Sequence, residues 1–315
     1  MTTLARASSK REPAQRQRRA LVKVSRRTTF FGWTFVGPFA IVFIAFLAAP
    51  LLYAFWMSLN TRTLTRGVVF TGFDNYVKAF TDPDFLEGVL FVAGFSLVLI
   101  PLQMLVSLAA ALVLDAITTR LARFSRLMIF MPYAVPVVIG ALMWGFLYSP
   151  RFGPIAEIAG MFGLDAPFLL SPEWVFFGLL NIVTWQWAGY YMIIIYSALQ
   201  GIDPSIYEAA KIDGANAWQI ALRVKVPMIS SAMILILVFA LIGTLQFFTE
   251  PQVLRNVAPG AISTSFTPNM YAFSLAFSYD QFNYASAISF ALGLFVFIGS
   301  YLFMYFTRKR NGLNS

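Results

Sequence analysis

Long apolar segments without an internal charge dominate the hydropathy pattern of the chain, and shorter polar segments separate them. A helix of about 20 apolar residues crosses the hydrocarbon core of a bilayer, and six segments reach that length. We place these spans near residues 35–57, 88–114, 127–148, 174–199, 228–249 and 284–306. The pattern predicts an all-α membrane protein with six transmembrane helices, whose six-span domain covers residues 35–307.

The distribution of Lys and Arg predicts the orientation, because these residues collect on the cytoplasmic side of membrane proteins. With a cytoplasmic N-terminus, the cytoplasmic segments contain 18 of the 23 Lys and Arg residues. The external segments contain the other five, together with nine of the 14 Asp and Glu residues. Six spans return the C-terminus to the starting side, so both termini are predicted to be cytoplasmic.

Polar tails flank the spans at both ends. Residues 1–34 contain nine Lys and Arg residues, one acidic residue and few aliphatic side chains, which predicts a disordered basic cytoplasmic tail that contacts anionic lipid. Residues 308–315 form a short cytoplasmic C-terminal tail. A basic tail beside a span is typical of membrane anchoring, so the lipid bilayer is the expected partner and nucleic acid is not.

The composition excludes several classes of function. Hydrophobic residues make up 59% of the chain and charged residues 12%, whereas soluble domains have about 25% charged residues. The chain has no Cys and no His, so we expect no disulfide and no metal site of the usual kind. It lacks the G-x-x-x-x-G-K-[ST] sequence of nucleotide-binding loops, and the span interiors lack the charged residues that ion-coupled transporters use.

The fourth and fifth spans contain neutral polar and aromatic side chains that suit a polyhydroxylated solute. Amides and hydroxyls form hydrogen bonds with sugar hydroxyls, and aromatic rings pack on the C–H faces of a sugar. The candidate solute-lining residues are Gln186, Trp187, Tyr190, Thr244 and Phe247. The same residue types also join neighbouring helices in membranes, and this alternative stays open.

The cytoplasmic connection at residues 200–227 predicts two short helices at a bend. Asp203 is a typical N-cap followed by proline, so a first helix is expected over residues 204–212. Gly214 favours the left-handed conformation that ends helices, and a second helix is expected over residues 215–224. The bend makes a compact element at the membrane surface.

The first helix of this connection has the features of a contact surface. Ser205 and Glu208 have the spacing of a capping box. Ala209 and Ala210 are small and allow close approach, and Tyr207 adds an apolar surface. From the residues alone, the helix is either a docking element for a partner or an interfacial helix on lipid headgroups.

The spacing of Glu208, Ala209, Ala210, Gly214 and Pro227 resembles the EAA loop of ABC importer permeases, whose pattern is E-A-A-x3-G-x9-I-x-L-P. The wider string YEAAKIDGANAWQ is similar to the version in the maltose and glycerol-3-phosphate type sugar permeases. Conservative replacements stand at the family's Ile and Leu positions, where this chain has Val224 and Val226.

The resemblance implies a fold, a coupling mechanism and partners. The fold is that of type I ABC importer permeases, in which the EAA loop is the coupling helix that sits in a groove of an ATP-binding subunit. The residues implied in this contact are Tyr207, Glu208, Ala209, Ala210, Asp213 and Gly214. The implied partners are a second permease subunit, a dimer of ATP-binding subunits that holds ATP and Mg, and an external solute-binding protein. This chain then has no catalytic residue, cofactor or metal of its own.

The expected function is that of a permease subunit in an ATP-driven importer of the bacterial cytoplasmic (inner) membrane. It would translocate a sugar or a related neutral polyhydroxylated solute into the cytoplasm. The alternatives are an ABC permease for a non-sugar solute, an ATP-independent secondary transporter, and an intramembrane enzyme that uses loop carboxylates. One stretch departs from the family, because TEPQVLRNVAPG stands where the family has T-G-G-G-P after the fifth span.

Overall fold

The structure is a computed structural model that describes residues 26–63, 65–117, 120–163 and 168–310. Helices form most of the described chain. The chain divides into two compact units, Met1–Trp56 and Met57–Ser315. The candidate solute-lining residues and the EAA loop all belong to the second unit.

The described part of the first unit is one helical run that continues two residues into the second unit. Helix α1 spans Arg26–Phe43, a π-helical segment spans Ile44–Ala48, and α2 spans Ala49–Ser58. The stretch Trp33–Ser58 is apolar enough to cross a membrane, and no residue of its most apolar window is buried within the chain. Such a surface suits the hydrocarbon core of a bilayer.

A small hairpin opens the second unit. It consists of β1 (Asn60–Thr63) and β2 (Gly67–Phe70), which pair antiparallel, and α3 (Asp74–Ala79) follows it. The buried amide of Asn75 donates hydrogen bonds to the carbonyls of Ser58 and Asn60, both at 2.9 Å. The all-α prediction did not include this hairpin, because strands of four residues leave little alternating pattern to detect.

Helices make up most of the rest of the second unit. In chain order they are α4 (Pro83–Ala116), α5 (Arg120–Ala134), α6 (Val137–Leu147), α7 (Pro154–Met161), α8 (Val175–Gln200), α9 (Pro204–Ile212), α10 (Ala217–Gln219), a π-helical segment (Ile220–Lys225), α11 (Val226–Met228), α12 (Ser230–Leu245), α13 (Thr249–Leu254), α14 (Pro268–Phe277) and α15 (Phe282–Arg310).

Four stretches of the described chain are individually long and apolar enough to cross a membrane. They are Trp33–Ser58, Pro83–Ala116, Ser230–Leu254 and Phe282–Tyr301. Helices α5 and α6 meet the same criterion together and bend by 97° between them, so the described chain has five spans if this pair counts as one broken span. Helix α8, the predicted fourth span, is about 39 Å long at 1.5 Å per residue but is less apolar than these. The number of six spans therefore stays a prediction.

Helix α8 occupies the core of the second unit, packed mainly against α4 and α5. Two of its glycines explain how closely its neighbours approach. A Cβ atom at Gly189 would lie 2.0 Å from the carbonyl oxygen of Ile129 in α5, and one at Gly178 would lie 2.3 Å from that of Leu169. Small residues allow such contact between membrane helices, so the sequence of α8 permits the tight packing seen here.

The carboxylate of Asp82 joins the start of α4 to two later helices. Asp82 caps α4 by accepting a hydrogen bond from the backbone N–H of Asp84 at 3.1 Å. Its Oδ2 accepts hydrogen bonds from the hydroxyls of Tyr271 in α14 at 2.7 Å and Tyr284 in α15 at 2.6 Å. One carboxylate thus fixes three helix ends together.

The predicted tails differ from the structure at their inner ends. Helix α1 begins at Arg26, so residues 26–34 are helical rather than part of a disordered tail, and α15 continues through residues 308–310. A helix can extend past an apolar stretch because its backbone hydrogen bonds are internal. Residues 1–25 and 311–315 lie outside the described residues.

Candidate solute cavity and coupling loop

Helices α8 and α12 border a cavity of about 410 Å³, and the α5–α6 bend and α4 complete its walls. This volume lies within the range of small-molecule sites, about 300–1,000 Å³. The lining residues comprise an aromatic group (Tyr133, Trp187, Tyr190, Tyr191, Phe239, Phe247 and Phe248), a polar group (Gln103, Thr244, Gln246, Thr249 and Glu250) and small or aliphatic residues that include Val183, Ala240 and Gly243.

An aromatic wall forms one side of the cavity. The rings of Tyr133 in α5 and Tyr190 in α8 are stacked, with centroids 4.6 Å apart and planes 17° apart. Trp187 lies one turn earlier in α8 and meets the Tyr133 ring edge-on at 5.5 Å. The flat faces and ring edges of this wall suit the C–H faces of a sugar ring.

The fifth predicted span is broken where it borders the cavity. Helix α12 ends at Leu245 and α13 begins at Thr249, so residues 246–248 are non-helical. Irregular backbone at membrane depth is tolerated where it lines a cavity. Thr244 precedes the break, and its hydroxyl donates a hydrogen bond to the Ala240 carbonyl at 2.7 Å, which leaves the oxygen as an acceptor.

Glu250, the second residue of α13, also lines the cavity although only 7% of its surface is exposed. Sequence reasoning treated Glu250 as an acid at the edge of a span. Glu250 belongs to the TEPQ string that stands in place of the family's glycine-rich stretch, and that departure alone does not indicate that it lines the cavity.

Trp187, Tyr190, Thr244 and Phe247, predicted as solute-lining, all border the cavity. The structure places the fifth candidate, Gln186, elsewhere, and it is not among the residues that line the cavity. Their assignment as solute ligands stays a prediction.

Gln186 spans the bend between α5 and α6. Its Nε2 donates hydrogen bonds to the carbonyls of Pro132 and Val135, each at 2.8 Å. Pro136 has no N–H and cannot satisfy the carbonyl four residues earlier, that of Pro132. A Cβ atom at Gly140 would lie 2.8 Å from the Gln186 Oε1, so the amide is closely packed. Gln186 stabilises the bend that carries Tyr133.

The connection at residues 200–227, which resembles an EAA loop, begins as predicted, with α9 at Pro204–Ile212 capped by Asp203. The Asp203 carboxylate accepts a hydrogen bond from the backbone N–H of Ser205 at 2.9 Å, and this bond lowers the pKa of Asp203. Ser205 is therefore inside the helix and cannot form the predicted capping box with Glu208. Asn216 and Gln219 form a capping box at α10 instead, with hydrogen bonds of 2.8 and 2.9 Å.

Gly214 ends α9 with a φ of +83°, the left-handed conformation that the sequence predicts. The predicted second helix, residues 215–224, begins at Ala217 instead and continues through the π-helical segment to Met228. Glu208, Ala209, Asp213 and Gly214 are exposed, while Tyr207 and Ala210 are half-buried. Most of these side chains are therefore accessible on the surface of the loop.

Large apolar side chains are exposed on the same loop. Ile212 at the end of α9 is 86% exposed and Trp218 in α10 is 71% exposed. Both residues belong to the short connection at residues 200–227, and large exposed apolar side chains there suit a contact with a partner or with lipid headgroups.

A buried ion pair lies beside α9. Lys225 in the π-helical segment pairs with Asp115 at the end of α4, and their side chains are 16% and 9% exposed. Asp115 also accepts a hydrogen bond from the Gln200 amide at the end of α8, at 2.7 Å. The Lys225 Nζ lies 4.8 Å from the centre of the Tyr207 ring. Sequence reasoning missed this cluster, because its charges lie at span edges that are far apart in the chain.

The described residues contain no group of three or more His, Cys, Asp or Glu side chains arranged to hold a metal ion.

The chain is similar to membrane components of transport systems. The sequence pattern of the family described as "Binding-protein-dependent transport system inner membrane component" matches residues 103–310. The lactose transport system permease protein LacF of Rhizobium radiobacter is 31% identical over 285 residues, which cover 89% of this chain and 94% of LacF. The trehalose/maltose transport system permease protein MalF of Thermococcus litoralis is 27% identical over 288 residues, which cover 90% of this chain and 95% of MalF.

A solved structure shares the fold. It is a chain of a bacterial alginate ABC transporter in complex with a periplasmic protein bound to an alginate pentasaccharide. The TM-score is 0.80 at 20% sequence identity, and the match covers 92% of this chain and 98% of that chain. The helical arrangement described above is thus one already seen in an ABC transporter.

Proposed function

The chain belongs to the family of inner membrane components of binding-protein-dependent transport systems, and on this premise we propose that it carries a sugar across the membrane as one permease subunit of an ABC importer. Members of the family are multi-pass membrane subunits rather than enzymes, and the ATPase is a separate subunit. The relatives named above transport lactose and trehalose or maltose, which supports a saccharide as the solute.

The observation that carries the proposal is the composition of the cavity between α8 and α12. Stacked aromatic rings supply flat apolar surfaces, and Thr244 and Glu250 supply hydrogen-bonding oxygens. The described lining contains no Lys or Arg that would attract an anionic solute. This combination favours a neutral polyhydroxylated solute of a few sugar rings or fewer.

We propose that α9 is the coupling helix that contacts an ATP-binding subunit. Glu208 and Ala209 are exposed for that contact, and Ile212 and Trp218 extend its apolar surface. The partners are then a second permease subunit, a dimer of ATP-binding subunits that holds ATP and Mg, and an external solute-binding protein. In this arrangement six spans place both termini in the cytoplasm.

The Asp115–Lys225 pair connects α9 to helices that border the cavity. Lys225 packs against Tyr207 of α9 and pairs with the end of α4, and Asp115 in turn holds the end of α8. Helices α4, α8 and α12 all contribute to the cavity. Movement of α9 with a closing ATPase dimer would therefore shift the cavity walls as packed elements, which changes access between the two membrane faces.

Uptake by the assembled transporter tests the proposal. The chain is purified with the subunits that accompany it and placed in proteoliposomes with ATP and the binding protein. Uptake of radiolabelled lactose, maltose and trehalose is then measured. Wild-type protein is expected to import at least one of these sugars only when ATP is present, and absence of uptake for neutral sugars would contradict the proposal.

A substitution at Tyr190 tests the role of the aromatic wall. Tyr190→Ala removes the ring that stacks on Tyr133, and we expect uptake to fall by about two- to tenfold, the effect of one aromatic contact. Tyr190→Phe keeps the ring and should retain most activity. Tyr279→Ala removes an exposed tyrosine outside the cavity and serves as the control. Uptake by Tyr190→Ala equal to that of the control would argue against a lining role.

A further inference from the structure

Glu250 is a carboxylate with an unusual position in the cavity wall. It is the second residue of α13, directly after the break that ends α12, and only 7% of its surface is exposed. Glu250 lines the cavity together with Thr244, Gln246 and Thr249.

Among the described residues, the Glu250 carboxylate has no side-chain partner. The ion pairs among them are Arg62–Asp280 and Lys225–Asp115, and neither involves Glu250. No side chain in that part of the chain donates a hydrogen bond to Glu250, and no Lys or Arg lines the cavity. A carboxylate removed from water is costly unless it is hydrogen-bonded. A backbone N–H supplies one hydrogen bond to Glu250, and donors on whatever fills the cavity can supply more.

The chemistry of a carboxylate defines what it can bind there. When ionised it only accepts hydrogen bonds, and its two oxygens can accept from two donors at once. Two adjacent hydroxyls of a sugar supply such a pair of donors. Hydrogen bonds to an ionised acceptor are stronger than those between neutral groups. A second carboxylate, a phosphate or a sulfonate on the solute would instead be repelled.

On the basis of the proposed sugar transport, we infer that Glu250 is a specificity-determining residue that binds a pair of hydroxyls on a neutral sugar and excludes anionic sugars. The aromatic wall of Tyr133 and Tyr190 binds any sugar face and does not distinguish a neutral sugar from its uronate. Discrimination by charge then depends on Glu250, the acidic residue of the described lining.

Direct binding to the assembled transporter, without the binding protein, tests this inference. Saturation-transfer NMR on the transporter in nanodiscs compares a neutral disaccharide with the same disaccharide oxidised at one primary alcohol to the carboxylate. We expect wild-type protein to bind the neutral sugar at least about tenfold more tightly than its uronate, because like charges repel strongly in a site of low polarity. Equal binding of the two sugars by wild-type protein overturns the inference whatever the variants do.

Three variants assign the effect to this residue. Glu250→Gln keeps the shape and removes the charge, and it should weaken binding of the neutral sugar by about fivefold and bring the ratio of the two affinities close to one. Glu250→Asp keeps the charge and should keep the preference for the neutral sugar. Glu157→Gln, in the exposed helix α7, should behave as wild type.

The outcomes separate this inference from the proposed function. If Glu250→Gln co-purifies with its partners and keeps the wild-type ratio, the specificity role is wrong while sugar transport stands. If wild-type protein binds neither sugar and imports none, the proposed function fails and the inference fails with it.

Discussion

The side-chain amide of Gln186 takes the place of hydrogen bonds that the bend between α5 and α6 removes. It donates to the carbonyls of Pro132 and Val135 in a site where only 2% of its surface is exposed. A buried carbonyl without a donor costs about 1–3 kcal/mol. The bend and the position of Tyr133 therefore depend on one residue of α8.

Replacement of this amide should reduce stability and transport together. We expect Gln186→Leu to destabilise the protein by about 1–3 kcal/mol, because the half-buried carbonyls of Pro132 and Val135 lose the amide donor and that of Pro132 keeps only the Val135 N–H. The measurement is the thermal unfolding midpoint of the purified chain alongside sugar uptake. Gln281→Leu, at an exposed glutamine, is the control. Unchanged stability with altered sugar preference would indicate a solute-lining role instead.

Of the three residues of α8 predicted to line the cavity, two do so and Gln186 does not, and helix geometry explains why. Successive residues of an α-helix point about 100° apart, so Trp187 lines the cavity while Gln186 points to the bend. Spacing along one helix identifies which residues share a face, but it does not say which face meets which neighbour. The orientation of α8 about its own axis depends on α4, α5 and α12, which pack on it from distant parts of the chain.

At the scale of elements, α9 and its turn are the most local feature of the fold. An N-cap, a proline and a glycine within a dozen residues specify the start and end of α9, and all three were predicted from the sequence. Glu250 could not be predicted in the same way, because the break after α12 has no comparable local signal and Glu250 follows an apolar run like any residue at the end of a span.

The turn at Gly214 should be required for coupling and not for folding. Gly214→Ala introduces a Cβ at a φ of +83°, which costs about 1–2 kcal/mol in the left-handed region and favours a shift of α9. We expect uptake to fall sharply while membrane insertion is retained. Gly163→Ala is a matched control, since Gly163 has a φ of +70° and the space for a Cβ in a different loop. Equal uptake by the two variants would contradict the coupling role.

The Asp115–Lys225 pair should behave as a buried unit. Asp115→Asn or Lys225→Met leaves a single charge in a largely buried site and should cost about 3 kcal/mol or more, whereas the double variant should recover part of that loss. Thermal unfolding in a double-mutant cycle measures the coupling. Arg62 and Asp280 form an exposed pair with side chains 66% and 71% exposed, and the same cycle there should give about 0.2–1 kcal/mol.

At the scale of the whole molecule, Asp82 makes stability depend on pH. Burial alone would raise the pKa of the Asp82 carboxyl, but the hydrogen bonds from Tyr284 and Tyr271, together with those from the backbone N–H groups of Asp84 and Phe85, lower this pKa below its ordinary value of 3.8. A carboxyl whose pKa is lower in the folded state stabilises the fold above its unfolded-state pKa. That contribution is lost as the pH falls through the folded-state pKa.

The expected result is a loss of stability below about pH 4 that depends on Asp82. Asp82→Asn removes the titrating group, so the thermal midpoint should change less on acidification than in the wild-type protein, although it is lower at neutral pH. The midpoint is measured from near-neutral pH down to about pH 3. Asp74→Asn, at an exposed carboxylate, should keep the wild-type profile, and an identical profile for Asp82→Asn would refute the assignment.

The membrane character of the chain was predictable at this scale, and its detailed architecture was only partly so. Apolar length depends on composition alone, which is why Pro83–Ala116 and Ser230–Leu254 were both anticipated. Helix α8 falls short of that apolarity because its side chains contact other helices rather than lipid, and polar residues are stable there. Hydropathy favours surfaces that suit lipid, so it does not identify a helix such as α8 that borders a cavity.

Gln186 contacts the α5–α6 bend while its neighbour Trp187 lines the cavity, and this difference has an evolutionary consequence. Gln186 holds the bend through hydrogen bonds to backbone carbonyls. Trp187 and Tyr190 line the cavity and contact the Tyr133 ring beside the bend. With the solute contacts proposed above, substitutions at these two positions that keep an aromatic ring would alter the solute while the amide of Gln186 keeps the bend. A single ancestral permease could in this way diversify toward new nutrients by a few substitutions on one helix face.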